Sequence, residues 1–317
     1  TILERGWLLE RIELVSAGRG VIQALDLEPI RQRHGFTTIS IARSDLVDCL
    51  ARALPQGCLH LNKRVETIEQ DENSATLRFE DGSEAQGDLI VGADGVRSQV
   101  RQAMGTEVRL RFTGQTCYRG IATTRLDDSW IHRCQEVWNG FSALGPDRVY
   151  WFAPVSAKLE PPTKPSAASS WLIDRFANFE EPIPTLLRDT SPEQIIQTDL
   201  NDFATPRHWW KGRLVLLGDA AHAMTPNLGQ GGAQAIEDAA ALAQTLRTHQ
   251  PNLQEAFHAY QHLRAPKARW ITRTARQLGR MAHVEYPILR RVRDALIEST
   301  PPAVNDRTLR RLYELTF

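Results

Sequence analysis

The sequence predicts an α/β chain with an antiparallel β layer inserted into it and helices at its C-terminal end. Three observations carry this. Two apolar runs, ending at Val91 and Leu217, each lead into a glycine turn and then a helix, the pattern of a buried parallel strand. Between them, residues 106–200 hold strand-length pieces rich in aromatic residues and separated by turns. From about residue 253 the pattern becomes helical and arginine-rich.

Taken in order, Thr1–Arg5 reads as the end of a buried strand, and residues 12–30 as a helix with Val21, Ile22 and Leu25 on one face. Thr37–Ile41 is a short β piece. Ser44 then caps a helix whose apolar stripe is Leu46, Val47, Leu50 and Leu54, closed by Pro55 and Gly57. Val65–Gln70, Ala75–Glu80 and Ser83–Gly87 form a three-stranded meander with Asp81-Gly82 as a hairpin turn. Leu89–Val91 is a buried strand, followed by a glycine turn and a helix from about Val96. The segments TCYRGIATT, EVWNGFSAL and RVYWFAPV are strands of the inserted layer. A Pro/Ser-rich loop and a helix at Trp171–Phe179 follow. The resulting division is 1–105 and 201–250 for the α/β domain, 106–200 for the inserted β domain and 251–317 for the C-terminal helices.

The 317 residues and 35.7 kDa suit about two domains. Lys plus Arg and Asp plus Glu are both 38, so no basic excess points to nucleic acid. The balance is uneven: from Pro251 onward it is +6, read as a solvated helical face rather than a surface for an acidic partner or membrane. Four scattered cysteines without a C-x-x-C pair support neither zinc nor a disulfide framework. They make a reducing, cytoplasmic setting the expectation. No apolar run approaches the roughly 18 residues of a membrane span.

Chemistry concentrates in RLVLLGDAAHAMTPNLGQGGAQAIEDAAALAQTL. Gly218 lets the chain turn sharply and Asp219 stands at the carboxyl end of the strand, where open α/β sheets bind ligands. An Asp there can accept hydrogen bonds from sugar or ribityl hydroxyls. Pro226, Gly229, Gly231 and Gly232 form a tight loop opening a helix at Ala233–Leu246, whose N–H groups and dipole attract an anion or electron-rich carbonyl. In DLIVGADGVRSQVR, Gly92 and Gly95 permit close backbone approach, and Arg97 and Arg101 are spaced to share one helix face. A plain strand–turn–helix with Asp94 as N-cap is the alternative reading of that short motif. Arg43, ahead of a helix, is suited to bidentate phosphate contact. It reads as a surface residue just as readily, and Glu4 is a weak signal by itself.

Together these segments resemble the flavin-dependent aromatic hydroxylases of the p-hydroxybenzoate hydroxylase type, in a zeaxanthin epoxidase/salicylate hydroxylase-like branch. The resemblance runs in order along nearly the whole chain. It implies an FAD-binding Rossmann-like fold of the glutathione-reductase type with an inserted antiparallel substrate domain. Asp219 is implied to hold the ribityl or ribose region, with Gly218 at the turn and Pro226, Gly229, Gly231 and Gly232 against the isoalloxazine. Asp94, Gly95 and Arg43 are implied near the pyrophosphate, and Glu4 at the adenosine ribose. The implied activity is a monooxygenase using FAD, NAD(P)H and O2 on an aromatic or olefinic small molecule, and homo-oligomers are compatible with it. Tyr118, Trp138, Tyr150 and Trp151 are candidate substrate-facing aromatics. His222, Tyr118 and Asn227 are the weak candidates for catalysis. His222 also reads as a packed residue bracing the loop. Asn227 stands where some urate-hydroxylating relatives carry Asp, which argues against urate. A flavin reductase of the same fold and a non-catalytic homologue remain alternatives. The family's G-x-G-x-x-G is absent: Gly18 and Gly20 supply only G-x-G, and the Gly229–Gly232 group belongs to the later loop. The expectation is a chain lacking a first strand, turn and helix on the order of 30 residues. The connection from Ile30 to Thr37 is also shorter than the family's.

Overall fold

The computed structural model describes residues 1–16, 20–36, 38–127, 133–137, 139–179, 181–282 and 286–315. Gly18 and Trp138 therefore lie outside the described residues. The chain begins with α1 (Ile2–Arg5), β1 (Trp7–Leu9), β2 (Arg11–Ser16), β3 (Gly20–Asp26), α2 (Glu28–His34), β4 (Thr38–Ser40) and α3 (Arg43–Arg52). Next come the meander β5 (Val65–Gln70), β6 (Ala75–Phe79) and β7 (Glu84–Gly87), then β8 (Ile90–Gly92) and α4 (Gln99–Ala103). The inserted layer supplies β9 (Arg111–Ala122), β10 (Arg133–Val137), β11 (Asn139–Gly145), β12 (Arg148–Ser156), α5 (Pro165–Phe176), α6 (Ile183–Arg188) and β13 (Ile196–Asp202). The chain closes with β14 (Trp210–Lys211), β15 (Leu214–Leu216), α7 (Asp219–His222), α8 (Gly231–Thr248), α9 (Leu253–Ala282), α10 (Pro287–Glu298) and α11 (Pro302–Tyr313). None of the helices, among the described residues, is long and apolar enough to cross a membrane.

Two compact units result: residues 1–59, 114–200 and 281–313, and residues 60–113, 201–280 and 314–317. The first is built on a seven-stranded sheet of order β13-β9-β12-β11-β10-β2-β3. Its β10–β2 pair is parallel, and the β9–β12, β12–β11, β11–β10 and β2–β3 pairs are antiparallel. Strict alternation along β12 sends Val149, Trp151 and Ala153 to one face and Tyr150 and Phe152 to the other. On the first face α5 and α6 pack Leu172, Phe176, Leu186 and Leu187 against Tyr118, Phe141, Val149 and Trp151. Gly120 is required there, because a Cβ would meet the Trp151 ring at 2.8 Å.

The second unit holds the parallel β8–β15 pair, with β14 on the far side of β15, and the β5–β6–β7 meander as a separate sheet. Leu214, Val215 and Leu216 are all buried, as expected for a strand covered on both sides. Their core partners include Trp209, Leu242, Phe257 and Tyr260. Gly92 is where β8 meets helix α4 most closely: a Cβ would stand 2.7 Å from Val100 Cβ and 2.9 Å from Leu216 Cδ2.

Four local expectations are corrected. Thr1–Arg5 is a helical turn, not a strand. A capping box between Thr1 and Glu4 satisfies its backbone locally. Residues 12–30 form the β2–β3 hairpin and α2 rather than one helix. Val21 is 51% exposed while Ile22 beside it is 8%, a period of two that the spacing of apolar residues concealed. Helix α3 forms, but its N-cap is Ala42, and Val47, Leu50 and Leu54 of the predicted core stripe are each about half exposed. Helix α5 starts at Pro165, inside the predicted loop, because Pro is well tolerated in a first turn.

Candidate functional site

The parallel register Leu214↔Ile90, Val215↔Val91, Leu216↔Gly92 puts the two glycine turns at the same end of neighbouring strands. Thus Asp94–Gly95 and Gly218–Asp219, separated by more than a hundred residues of sequence, share one edge of the second unit. Gly218 has φ +58° and ψ −140°, a conformation that only glycine adopts without strain, and a Cβ there would meet Ala235 Cβ at 3.0 Å. The turn it makes leaves Asp219 exposed, with no hydrogen bond to the protein among the described residues.

The loop after α7 places Pro226, Gly229 and Gly232 at the surface and Gly231 half-buried. Gly229 is left-handed at φ +62°, with its N–H donating to the Pro226 carbonyl at 2.8 Å. Helix α8 starts at Gly231 with no side-chain cap, and Cβ atoms at Gly229, Gly231 or Gly232 would enter open space. An uncapped N-terminus of an 18-residue helix, bare of side chains, exposes polarised N–H groups to whatever lies against it. Asn227 does not point outward: its Nδ2 donates to Thr225 Oγ1 at 2.8 Å and to the Ala275 carbonyl at 3.0 Å, tying the loop to α9.

The reading of Asp94 as N-cap is corrected: the N-cap of α4 is Ser98, whose Oγ accepts the Arg101 N–H at 2.9 Å, and Asp94 supplies a further acceptor from four residues upstream. Its Oδ2 accepts from the Gln99 and Val100 N–H groups at 2.7 and 3.2 Å, and Gly95 beside it is left-handed at φ +79°. The expectation that Arg97 and Arg101 share a helix face is corrected. Arg97 precedes α4 and is exposed, whereas Arg101 is 4% exposed and reaches back across the sheet edge. Its guanidinium donates to the Ala220 carbonyl at 2.8 Å and to the Val96 carbonyl at 2.7 Å, and sits 4.8 Å above the Phe203 ring. One buried side chain therefore joins the first glycine motif to the second.

Sequence reasoning missed what lies under the Asp219 turn. His222 is fully buried, with Nε2 2.6 Å from Asp238 Oδ2, and the same oxygen accepts the Gly218 N–H at 2.9 Å. Arg264 Nε donates to Asp238 Oδ1 at 2.8 Å, its Nη2 to Gln234 Oε1 at 2.7 Å, and its Nη1 pairs with Glu237. Lys267 pairs with Glu237 Oε2 at 2.9 Å. Burial works against the Asp238 carboxylate, but the His222 hydrogen bond and the Arg264 charge outweigh it and hold its carboxyl below the usual range. Burial also lowers Lys267, with Glu237 opposing, and it raises the Tyr260 hydroxyl, which donates to the Leu216 carbonyl at 3.0 Å.

The remaining predicted residues lie in the first unit. Arg43 is exposed at the start of α3. Glu4 is exposed on α1. Tyr118 is fully buried and its hydroxyl donates to the Pro162 carbonyl at 2.6 Å, while Trp151 Nε1 donates to Thr190 Oγ1 at 2.7 Å. Both belong to the helix-covered face. Tyr150 is half-buried on the opposite face, its ring 6.1 Å from that of Phe152.

Comparison with known proteins follows the same outline. A family model described as FAD binding domain matches residues 42–275. Aurachin C monooxygenase/isomerase of Stigmatella aurantiaca is 36% identical over 92% of this chain and 77% of its own length. The 2-heptyl-3-hydroxy-4(1H)-quinolone synthase of Pseudomonas aeruginosa is 31% identical over 87% of this chain and 73% of its own. Among solved structures, a variant of Klebsiella pneumoniae HpxO complexed with FAD superposes with a TM-score of 0.89. It covers 99% of this chain and 84% of its own at 22% identity, a likeness of fold. A salicylate hydroxylase substrate complex gives 0.71 at 26% identity over 98% and 84%.

Proposed function

The chain belongs to the FAD binding domain family and is an FAD-dependent monooxygenase, and from that premise we propose that its substrate is an aromatic ring already activated by a hydroxyl or oxo group, with an alkyl 4-quinolone as the first compound to test. The observation that carries the flavin reading is the bare, uncapped start of α8 and the exposed Asp219. The donor set suits a flavin: a free carboxylate for sugar-type hydroxyls, and unblocked N–H groups for the electron-rich end of a ring. Bound FAD supplies the redox and oxygen-transfer chemistry.

This chain's residues do the holding. Asp219 would accept from ribityl or ribose hydroxyls. The α8 N-terminus would favour negative charge on the ring laid against it, which helps most when that charge grows during reaction. Pro226 stiffens the loop, and Gly229, Gly231 and Gly232 let a flat ring approach backbone. Gly95 gives close approach at the neighbouring turn, with Asp94 fixing α4 behind it. Arg43 would meet phosphate and Glu4 a ribose hydroxyl. NAD(P)H as reductant, O2 as oxygen source and a cytoplasmic setting complete the proposal.

Support for the substrate class comes from relatives. Besides the quinolone synthase, they include a 6-hydroxynicotinate 3-monooxygenase of Bordetella bronchiseptica and a 3-amino-4-hydroxybenzoate 2-monooxygenase of Streptomyces cremeus. The test begins with flavin uptake by the purified chain. NAD(P)H oxidation and O2 consumption are then measured with 2-heptyl-4-quinolone, 6-hydroxynicotinate and 3-amino-4-hydroxybenzoate. Expected is a product one oxygen atom heavier from the quinolone. Stoichiometric flavin with no oxygen insertion into any of the three would overturn the substrate assignment.

A further inference from the structure

We propose that Asp238 is a positioning residue for the cofactor turn, with His222 and Arg264 as the donors that lock it; this rests on reading the Asp219 turn as flavin-holding. Helix α7 is only four residues long, too short to hold its own shape. Its two ends are joined through one carboxylate. Asp238 Oδ2 accepts the N–H of Gly218, immediately before α7, and lies 2.6 Å from Nε2 of His222, the last residue of α7. Asp219 stands between these two anchors. Its direction of exit is set by a group that itself faces away from solvent.

The donor and acceptor roles follow from the surroundings. Asp238 is held as a carboxylate by Arg264, so its Oδ2 can only accept, and His222 Nε2 lies 2.6 Å from it. His222 Nδ1 is buried and has no hydrogen-bond partner among the described residues. The proton therefore belongs on Nε2, where it donates to Asp238. Arg264 Nε holds the other carboxylate oxygen at 2.8 Å, which stops the carboxylate from rotating away from the turn. Arg264 comes from α9, so that long helix braces the turn through Asp238 and the Pro226 loop through Asn227.

A buried ion cluster could also serve stability alone, and the two roles separate experimentally. The full chain is titrated with FAD, followed by quenching of flavin fluorescence, for wild type, Asp238→Asn, His222→Leu and His222→Gln. Backbone amide exchange of the apo-proteins is measured in parallel. The Gln amide can place an N–H near the position of Nε2, and the Leu side chain cannot. Positioning predicts FAD dissociation constants raised about tenfold or more in Asp238→Asn and His222→Leu, and largely restored in His222→Gln. Exchange should rise at residues 218–222 and stay unchanged in β8 and β15. If Asp238→Asn does not fold, the His222 pair still decides. FAD affinity within twofold of wild type in folded His222→Leu, whatever its melting temperature, overturns the proposal. A wild-type chain that takes up no FAD overturns the flavin reading, and the positioning role with it.

Discussion

Replacing Arg101 with Met keeps much of the side chain's bulk and removes its charge and donors. Two charge-assisted hydrogen bonds disappear, to the Ala220 and Val96 carbonyls at 2.8 and 2.7 Å, together with the contact over Phe203. Each such bond contributes about 1.5–3 kcal/mol net. Burial also pulls the Arg101 pKa below its ordinary value, with Asp94 opposing, so the cost of desolvating the guanidinium offsets part of that gain. A net loss of about 2–4 kcal/mol remains, on the order of 3–6 °C in melting temperature for a chain of 317 residues. The assay is thermal unfolding of the apo-protein, with Arg101→Lys as the control that keeps charge but loses the planar fork. Lys should fall between Met and wild type. A Met variant that melts with wild type would refute the idea that this side chain couples the two glycine motifs.

Gly92→Ala should destabilise by about 1–3 kcal/mol through overpacking against Val100 and Leu216, read as a lower denaturant midpoint. Asp94→Ala should cost about 1 kcal/mol through the lost acceptor for the Gln99 and Val100 N–H groups, Ser98 still capping α4, with Asp94→Asn close to wild type in the same unfolding assay. Asp219→Asn should raise the FAD dissociation constant on the order of tenfold while leaving apo-protein melting unchanged, since its carboxylate is exposed. The depressed Asp238 carboxyl gives a signed pH prediction. Its contribution is fully present above the unfolded carboxyl value of about 3.9 and is lost as pH falls through the lower folded value. Melting temperature should therefore drop below about pH 4, less steeply in Asp238→Asn.

The parts of the fold visible in the sequence are those whose signal is local. A buried parallel strand announces itself by an unbroken apolar run, a hairpin by Asp81-Gly82, and an open helix start by clustered glycines. The turn at Gly218 and the open start of α8 were readable for that reason. The β2–β3 hairpin was not, because Ile22 and Leu25 satisfy a helical spacing as well as a strand one over so short a stretch. Helix α3 was readable as a helix but not as an exposed one. Amphipathic spacing reports which face could be buried and carries no information on whether a neighbour covers it.

The buried cluster shows a different limit, because its signal is present but divided between two helices. On α8 the inward stripe is Gln234, Glu237, Asp238, Ala241, Leu242 and Thr245, and on α9 it includes Phe257, Tyr260, Arg264, Lys267, Ala268, Ile271 and Ala275. Each stripe has two charged residues buried with it, Glu237 and Asp238 on α8 and Arg264 and Lys267 on α9. Taken separately, Asp238 looks like a solvated residue on an alanine helix and Arg264 like part of the basic C-terminal region. A lone charge on an apolar stripe is too costly to bury, so two such stripes with opposite signs imply each other as partners. That complementarity, rather than either motif alone, connects α9 to the turn carrying Asp219. It also explains why a residue as ordinary in sequence as Arg264 stands fully buried beneath the candidate flavin site.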